Sequence, residues 1–197
     1  MNEIDPQIQS EIDKLELPET SMDDVYKILK NYPKDVNIES NVAMTISRKQ
    51  SVYDKTEGTH KDLDEMLEIL SNSSDMQARW AVAKSHHTPS EILGKLAKDE
   101  INLVRALVAT NPSTPKECLQ DLFNDELIVR TGLTGNPNTP EKLLKLFIND
   151  NDRMVRIRVA DNSGTPKSLL EILANDSDRD VEIAAKKRLG IDYETEK

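Results

Sequence analysis

Four arginines recur at an almost constant spacing and carry the most evident chemistry of the chain. Arg79, Arg105, Arg130 and Arg156 follow one another at steps of 26, 25 and 26 residues. A guanidinium presents a planar fork of N–H donors that fits a carboxylate or a phosphate. The spacing predicts a structural Asp/Arg ladder that bridges repeats, and a basic stripe facing a partner is the alternative. The aspartate predicted to pair with each of the last three arginines precedes it by five or six residues: Asp99, Asp125 and Asp150.

A further group of basic residues lies where this spacing breaks. Glu39 takes the arginine position of an earlier copy, and Arg79 follows it by 40 residues, about 14 more than one period. The surplus lies in residues 47–61, which we predict to be an inserted loop. Insertions in repeat proteins often lie on the binding face, and a basic loop favours an acidic patch on a partner protein; a tolerated surface loop is the alternative. The residues predicted to bind a partner are Arg48, Lys49, Tyr53, Lys55 and Lys61.

The only tryptophan, Trp80, is a further candidate for partner binding. The equivalent position holds alanine, threonine or isoleucine in the other copies. Trp80 is predicted to pack against the insertion or against the degenerate repeat before it. A partner hot spot or a base-stacking platform is the alternative.

Groups that catalyse reactions or bind metals are sparse. The chain has three histidines, and the adjacent pair His86 and His87 points apart, with no third ligand placed by spacing. Cys118 occupies the position that Ile92 holds in the preceding repeat, which is typical of a small core residue. The sequence contains neither a Gly-rich phosphate loop nor a nucleophile elbow. We therefore predict a non-enzymatic protein with no catalytic residue, no metal site and no cofactor.

Each repeat opens with the dipeptide Thr-Pro. Threonine at an N-cap accepts a hydrogen bond from a free N–H of the first helical turn, and proline at the next position loses no hydrogen bond. A helix is therefore predicted to begin at each threonine. Glu91 and Glu117, three residues after the first two threonines, are predicted to complete capping boxes. The dipeptides are Thr88-Pro89, Thr114-Pro115, Thr139-Pro140 and Thr165-Pro166.

Two apolar stripes in each repeat predict a pair of helices. Behind each Thr-Pro the apolar residues fall at helical spacing, as in Ile92, Leu93 and Leu96. A second short segment surrounds each arginine, and its inward positions are the residue before the arginine and the third residue after it. Because one pair cannot bury its own stripe, neighbouring pairs must stack. The sequence thus predicts an all-α solenoid of about six two-helix repeats with a period of 25–26 residues.

Weaker copies extend the pattern toward the N-terminus. Asp62 and Ser21 are placed to cap further helices, and Asp5-Pro6 begins a helix that suits the end of a stack. Residues 1–61 are predicted to hold this capping helix, a degenerate first repeat and the inserted loop. Residues 62–190 form the regular repeats, and residues 191–197 form a polar tail.

The repeat resembles the leucine-rich repeat variant family over roughly residues 62–190. The resemblance rests on the segments VRALVATNPSTPKECLQDLFND and VRIRVADNSGTPKSLLEILAND. It implies helices wound into a right-handed superhelix, with second helices that are α or partly 3₁₀. The iron–sulfur centre of some members needs a cysteine cluster, which a chain with one cysteine does not provide. The family is close in plan to HEAT-like repeats, among which are alkylpurine DNA glycosylases.

The charge of the chain favours protein binding over nucleic-acid binding. The net charge is −10 and the pI is about 4.9, so the chain as a whole repels phosphate and nucleic-acid binding is disfavoured. No apolar run is long enough for a signal peptide or a membrane span, and the single cysteine suits a cytoplasmic protein. We predict a non-enzymatic scaffold that binds another protein through an extended solenoid face and the 47–61 loop. The alternatives are a HEAT-like DNA glycosylase or other nucleic-acid-acting protein, and an acidic decoy of a nucleic-acid-binding protein.

Overall fold

Helices account for all regular secondary structure in the part of the chain that the structure, a computed structural model, describes: residues 4–49 and 60–191. That part contains no β-strand, which confirms the predicted all-α class. Helix α1 (Pro6–Glu16) begins the chain's helical part, and each repeat after it contributes a first helix followed by a second helix. The first helices are α2 (Met22–Asn31), α4 (Leu63–Ser71), α6 (Ser90–Leu96), α8 (Lys116–Asp121), α10 (Glu141–Phe147) and α12 (Lys167–Leu173). The second helices are α3 (Val36–Lys49), α5 (Met76–Lys84), α7 (Asn102–Thr110), α9 (Leu127–Gly135), α11 (Arg153–Asp161) and α13 (Arg179–Leu189).

The family resemblance implies second helices that are α or partly 3₁₀, and in the structure they are α-helices. Among the described residues, a 3₁₀ turn occurs only at Leu122–Asn124, where it follows the first helix α8. The helix α3 also changes the limits of the predicted insertion. Because α3 continues to Lys49, residues 47–49 are helical rather than part of a loop. Residues 50–59 lie outside the described residues.

The chain divides into two compact units, residues 1–104 (unit 1) and 105–197 (unit 2). In unit 1, α3 packs against α1, α2 and α5, and α4 packs against α5 and α6. In unit 2, α11 packs against α9, α10 and α13, and α12 packs against α13. The rings of Phe123 and Phe147, with centroids 4.9 Å apart, join the ends of two first helices in unit 2.

The apolar positions predicted to face inward are buried. Each residue before a ladder arginine, and each third residue after one, is almost completely inaccessible to solvent. Burial of these side chains supplies the main driving force for folding, about 1.5–3 kcal/mol for each large aliphatic group. The pairs are Ala78 with Val82, Val104 with Val108, Val129 with Leu133, and Val155 with Val159.

The role predicted for threonine in Thr-Pro is wrong. The N-cap of α10 is Pro140, in extended conformation with ψ 138°, and its carbonyl accepts the N–H of Leu144 at 3.2 Å. Thr139 therefore lies outside the helix, and its hydroxyl donates to the carbonyl of Leu133 at 2.6 Å. The threonine thus caps the end of the preceding second helix. Thr88, Thr114 and Thr165 each donate in the same way to the carbonyl six residues earlier.

Because the helices begin one residue later than predicted, the capping boxes assigned to Glu91 and Glu117 are wrong as well. The N-cap residues of α6 and α8 are prolines without a side-chain cap hydrogen bond. Asp5 and Ser21 do cap their helices, because each side chain accepts a main-chain N–H of the first turn. Asp62 stands at the N-cap of α4 without such a hydrogen bond.

Asparagines after the second helices form a buried series that the pattern did not predict. The amide nitrogen of Asn136 donates to the carbonyls of Ala109 and Asn111, at 2.9 and 2.8 Å. Asn162 donates likewise to the carbonyls of Thr134 and Asn136, at 2.6 and 2.9 Å. Each asparagine side chain therefore donates to two carbonyls at the end of the second helix one repeat earlier. One of the two, that of Ala109 or Thr134, lies in the last helical turn and would otherwise lack a partner, and the other also accepts the N–H of a threonine.

Arginine ladder and candidate partner-binding groove

The guanidinium of each ladder arginine contacts an aspartate 20 residues further along the chain. In unit 1, Arg79 Nε and Nη2 donate to the two carboxylate oxygens of Asp99 at 2.6 and 3.1 Å. In unit 2 the same fork joins Arg105 to Asp125, at 2.7 and 2.8 Å. Arg156 contacts Asp176 in this way, and Arg130 contacts Asp150 through Nε alone, at 3.1 Å.

The pairing predicted from the sequence, of each arginine with the aspartate that precedes it, is wrong, because Asp99, Asp125 and Asp150 each bind the arginine 20 residues before them. In two rungs the preceding aspartate instead accepts a hydrogen bond from the arginine through its main-chain carbonyl. Arg130 Nη1 donates to the carbonyl of Asp125 at 3.0 Å, and Arg156 Nη1 donates to that of Asp150 at 2.8 Å. The carboxylate of Asp150 meanwhile accepts the N–H of Asp152 at 2.9 Å and fixes the turn before α11. Each rung thus ties a turn, a second helix and the next turn together.

Partial burial makes these ion pairs stronger than ordinary surface pairs. Hydrogen bonds from Arg105 hold the pKa of the Asp125 carboxyl below its usual range, and burial opposes this shift. Arg156 lowers the pKa of Asp176 in the same way. Conversely, the hydrogen bond to Asp99 raises the pKa of Arg79. These arginines and aspartates therefore stay charged at neutral pH, so that each guanidinium donates its hydrogen bonds to an ionised carboxylate.

A wide groove crosses the second helices of unit 1. It has a volume of about 610 Å³, and its lining includes Met44 and Arg48 of α3, Trp80 of α5 and Leu103 of α7. Apolar side chains there stay accessible to solvent: Trp80 is 37% exposed, Leu103 43% and Met44 49%. Clustered exposure of this kind marks interaction sites more often than isolated apolar residues do.

Trp80 is one of the two predicted partner-binding residues that line this groove. The ammonium of Lys84 lies 5.0 Å from the centroid of its ring, within reach of a cation–π contact. Arg48 lines the same groove, so the structure brings two of the predicted partner-binding residues together. The sequence did not indicate Met44, Met76 or Leu103, because an apolar residue at helical spacing does not reveal whether a neighbouring helix covers it.

The other predicted partner-binding residues lie apart from this groove or outside the part of the chain that the structure describes. Lys49 donates to the carbonyl of Pro18 at 2.9 Å and so braces the end of α3. Lys61 is exposed in the turn before α4, 3.9 Å from Asp23 and 4.0 Å from Asp62. Tyr53 and Lys55 lie outside the described residues.

Within the described residues, one cluster has the composition of a metal site: Asp23, His60 and Asp62, whose ligand atoms lie within 4.8 Å of one another. His60 Nε2 lies 3.2 Å from Asp23 Oδ1, and His60 Nδ1 accepts the N–H of Asp62 at 3.3 Å. The tautomer that fits these contacts carries its proton on Nε2 and donates it to Asp23. Both ring nitrogens are then engaged within the protein, which suits a histidine that fastens the turn before α4 to α2.

Comparisons with known proteins leave the site to be interpreted from its own geometry. No family model, curated protein or solved structure matches this chain. Across residues 4–49 and 60–191, none of the helices combines the length and the apolar character that crossing a membrane requires.

Unit 2 carries further exposed apolar residues on its second helices. Ile128 on α9 and Met154 on α11 are both exposed, and each lies two residues before a ladder arginine, as Leu103 does on α7. This recurring register was present in the sequence and could have indicated an apolar face. The second helices therefore combine a buried face with an outer face that is also partly apolar.

Proposed function

We propose that the protein is a non-enzymatic repeat scaffold that binds another protein through the groove of unit 1. In this proposal the helix pairs wind into a right-handed α-solenoid of the leucine-rich repeat variant type. The observation that carries the proposal is the exposure of Trp80, Met44 and Leu103 together in one groove. Tryptophan and methionine are enriched in the buried centres of protein interfaces, and methionine adapts its shape to a partner.

The charged groups of the groove favour a partner segment that is both apolar and acidic. Arg48 Nη2 donates to the carbonyl of Leu15 and the hydroxyl of Thr45, at 3.2 and 3.0 Å. Within the described residues its Nε and Nη1 hydrogens have no acceptor, so they can bind a carboxylate of the partner. Lys84, over the ring of Trp80, adds a second positive charge. An amphipathic segment would place its apolar side chains against Trp80 and an acidic residue at Arg48.

Charge also ranks the alternatives. The net charge of −10 repels a nucleic acid as it approaches the chain. Counterion release at the two cations Arg48 and Lys84 would contribute little affinity. The lining of the groove also includes Glu16. A phosphate backbone, which carries a charge at every nucleotide, would meet this carboxylate, whereas a protein segment needs only one acidic residue, placed at Arg48. We therefore favour binding of a protein segment over the alternative of a HEAT-like DNA glycosylase.

Selection from a random peptide library displayed on phage tests this proposal, because such a library samples apolar, acidic and basic segments alike. We expect enriched peptides that combine aromatic or aliphatic residues at helical spacing with Asp or Glu. Their affinity should fall at least tenfold for Trp80→Ala, and stay unchanged for Ile172→Ala, a control at an exposed residue on a first helix of unit 2. Enrichment of basic peptides, or equal binding by both variants, would refute it. Tighter binding of a single-stranded oligonucleotide than of any selected peptide would favour the nucleic-acid alternative.

A further inference from the structure

The first rung of the ladder lacks its arginine. Glu39 occupies the arginine position and Ser73 the aspartate position, and Ser73 Oγ donates to Glu39 Oε2 at 2.5 Å. Ser73 Oγ also accepts the N–H of Asp75 at 3.1 Å, as the carboxylate of Asp99 accepts the N–H of Ile101 at 2.9 Å. The two positions are thus equivalent in structure as well as in sequence. The cation of the other rungs has been replaced by a carboxylate.

A pocket of about 740 Å³ lies at this rung. Its lining includes the carboxylate-bearing Glu39, which is only 4% exposed, together with Pro33, Lys34 and Ser74. Glutamate is shorter than arginine and serine is shorter than aspartate, so the side chains at this rung fill less space than those of the complete rungs. The volume of the pocket is in the range of those that bind small ligands.

The lining also presents main-chain acceptors that other rungs use for arginine. Arg79 Nη1 donates to the carbonyls of Ser73 and Ser74, six and five residues before it, at 2.9 and 3.2 Å. The same offsets from Glu39 lead to Pro33 and Lys34. Among the described residues, no donor is hydrogen-bonded to either of these two carbonyls. The first rung therefore holds a buried carboxylate and two carbonyls without the cation that joins such groups elsewhere.

We propose that this pocket binds the guanidinium of an arginine side chain supplied by a partner protein. The fork of the guanidinium would donate to Glu39, and its remaining N–H groups would reach the carbonyls of Pro33 and Lys34, as in the complete rungs. Of the two lysines in the lining, Lys30 is neutralised by Glu65 at 2.7 Å. Lys34, exposed at the rim, opposes binding. The site shares no residue with the Trp80 groove, so either proposal can fail alone.

An NMR titration of the full ¹⁵N-labelled chain provides the test. The probe is a capped pentapeptide, Gly-Ser-Arg-Ser-Gly, and the controls replace its arginine by citrulline or lysine. We expect saturable shifts at the amides of Lys34, Glu39 and Ser74, and binding at least tenfold weaker for citrulline, which has the same shape without the charge. Free arginine forms a second arm: tighter binding of the peptide assigns the site to a protein side chain, and tighter binding of free arginine to a small metabolite. Equal binding of arginine and citrulline peptides overturns the proposal.

Two variants separate the site from the fold. Glu39→Gln should weaken the arginine peptide at least tenfold. The double substitution Glu39→Arg with Ser73→Asp should rebuild the missing rung, abolish binding and raise the melting temperature, so loss of binding there cannot reflect unfolding. Lys34→Ala should strengthen binding, because it removes a like charge from the rim. An unchanged affinity in the rebuilt double variant contradicts the assignment of the pocket.

Discussion

Replacing Arg79 by methionine measures what one buried rung contributes to stability. Methionine keeps most of the aliphatic stem, so the change chiefly removes the guanidinium. The carboxylate of Asp99, whose side chain is 5% exposed, would keep its hydrogen bond from Ile101 but lose both bonds from Arg79. Removing one partner of a buried ion pair costs about 3–5 kcal/mol, and the retained hydrogen bond places this case at the lower end, about 3 kcal/mol.

Arg130→Met is the matched control. The Arg130 side chain is 28% exposed and contacts its aspartate through one nitrogen, so its loss should cost only about 1 kcal/mol. Urea unfolding at pH 7, followed by far-UV circular dichroism on the full chain, gives both values. Adding Asp99→Asn to Arg79→Met should recover about 1–2 kcal/mol, because the stranded charge is then absent. Equal losses for Arg79→Met and Arg130→Met would refute the link between burial and stability in this ladder.

Three further changes test the buried hydrogen bonds and the charge of the ladder. Asn136→Ala leaves the carbonyl of Ala109 without a donor, whereas that of Asn111 keeps the N–H of Thr114, and the change should cost about 1–3 kcal/mol in urea unfolding. Asn136→Asp should cost more at pH 7 and recover part of the loss on acidification, once the carboxyl is protonated. Thr139→Val should lower stability by about 1–2 kcal/mol and Thr139→Ser by less, because only serine keeps the hydroxyl donor; equal losses would contradict the cap on Leu133. Because Arg105 lowers the pKa of Asp125, this pair stabilises fully above about pH 4 and is lost as the pH falls through the lowered pKa. The stability difference between wild type and Arg105→Met should therefore be constant between pH 7 and 5 and shrink near pH 2; a difference that does not vary with pH would contradict it.

The sequence predicted the helices well because their signals are local. Apolar residues at helical spacing determine which face is buried, and this is why Val129 and Leu133 could be assigned to the core. The Thr-Pro signal located each helix start only to within one residue, because the fixed φ of proline suits both the N-cap and the next position. The partner of Thr139 could not be predicted, since it depends on how the chain turns between the two helices.

Contacts between repeats were harder to predict than contacts within one. The spacing of the arginines predicted a ladder, but not that the carboxylate paired with Arg79 comes from the repeat that follows. Asn136 appeared as a turn residue, because its acceptors lie 25 and 27 residues earlier in sequence. The groove likewise arises where α3 and α5 come together, so Trp80 and Arg48 could be named as candidates but not placed beside each other.

Trp80 fluorescence tests the central claim most directly, because Trp80 is the only tryptophan and lies in the proposed groove. The measurement is the emission spectrum of the full chain during titration with the best peptide from the phage selection, with binding followed independently by anisotropy of a labelled copy. The proposal predicts a blue shift that saturates at the same peptide concentration as the anisotropy, because the partner removes the indole from water. Binding by anisotropy with no change in Trp80 emission would show that the partner site lies elsewhere.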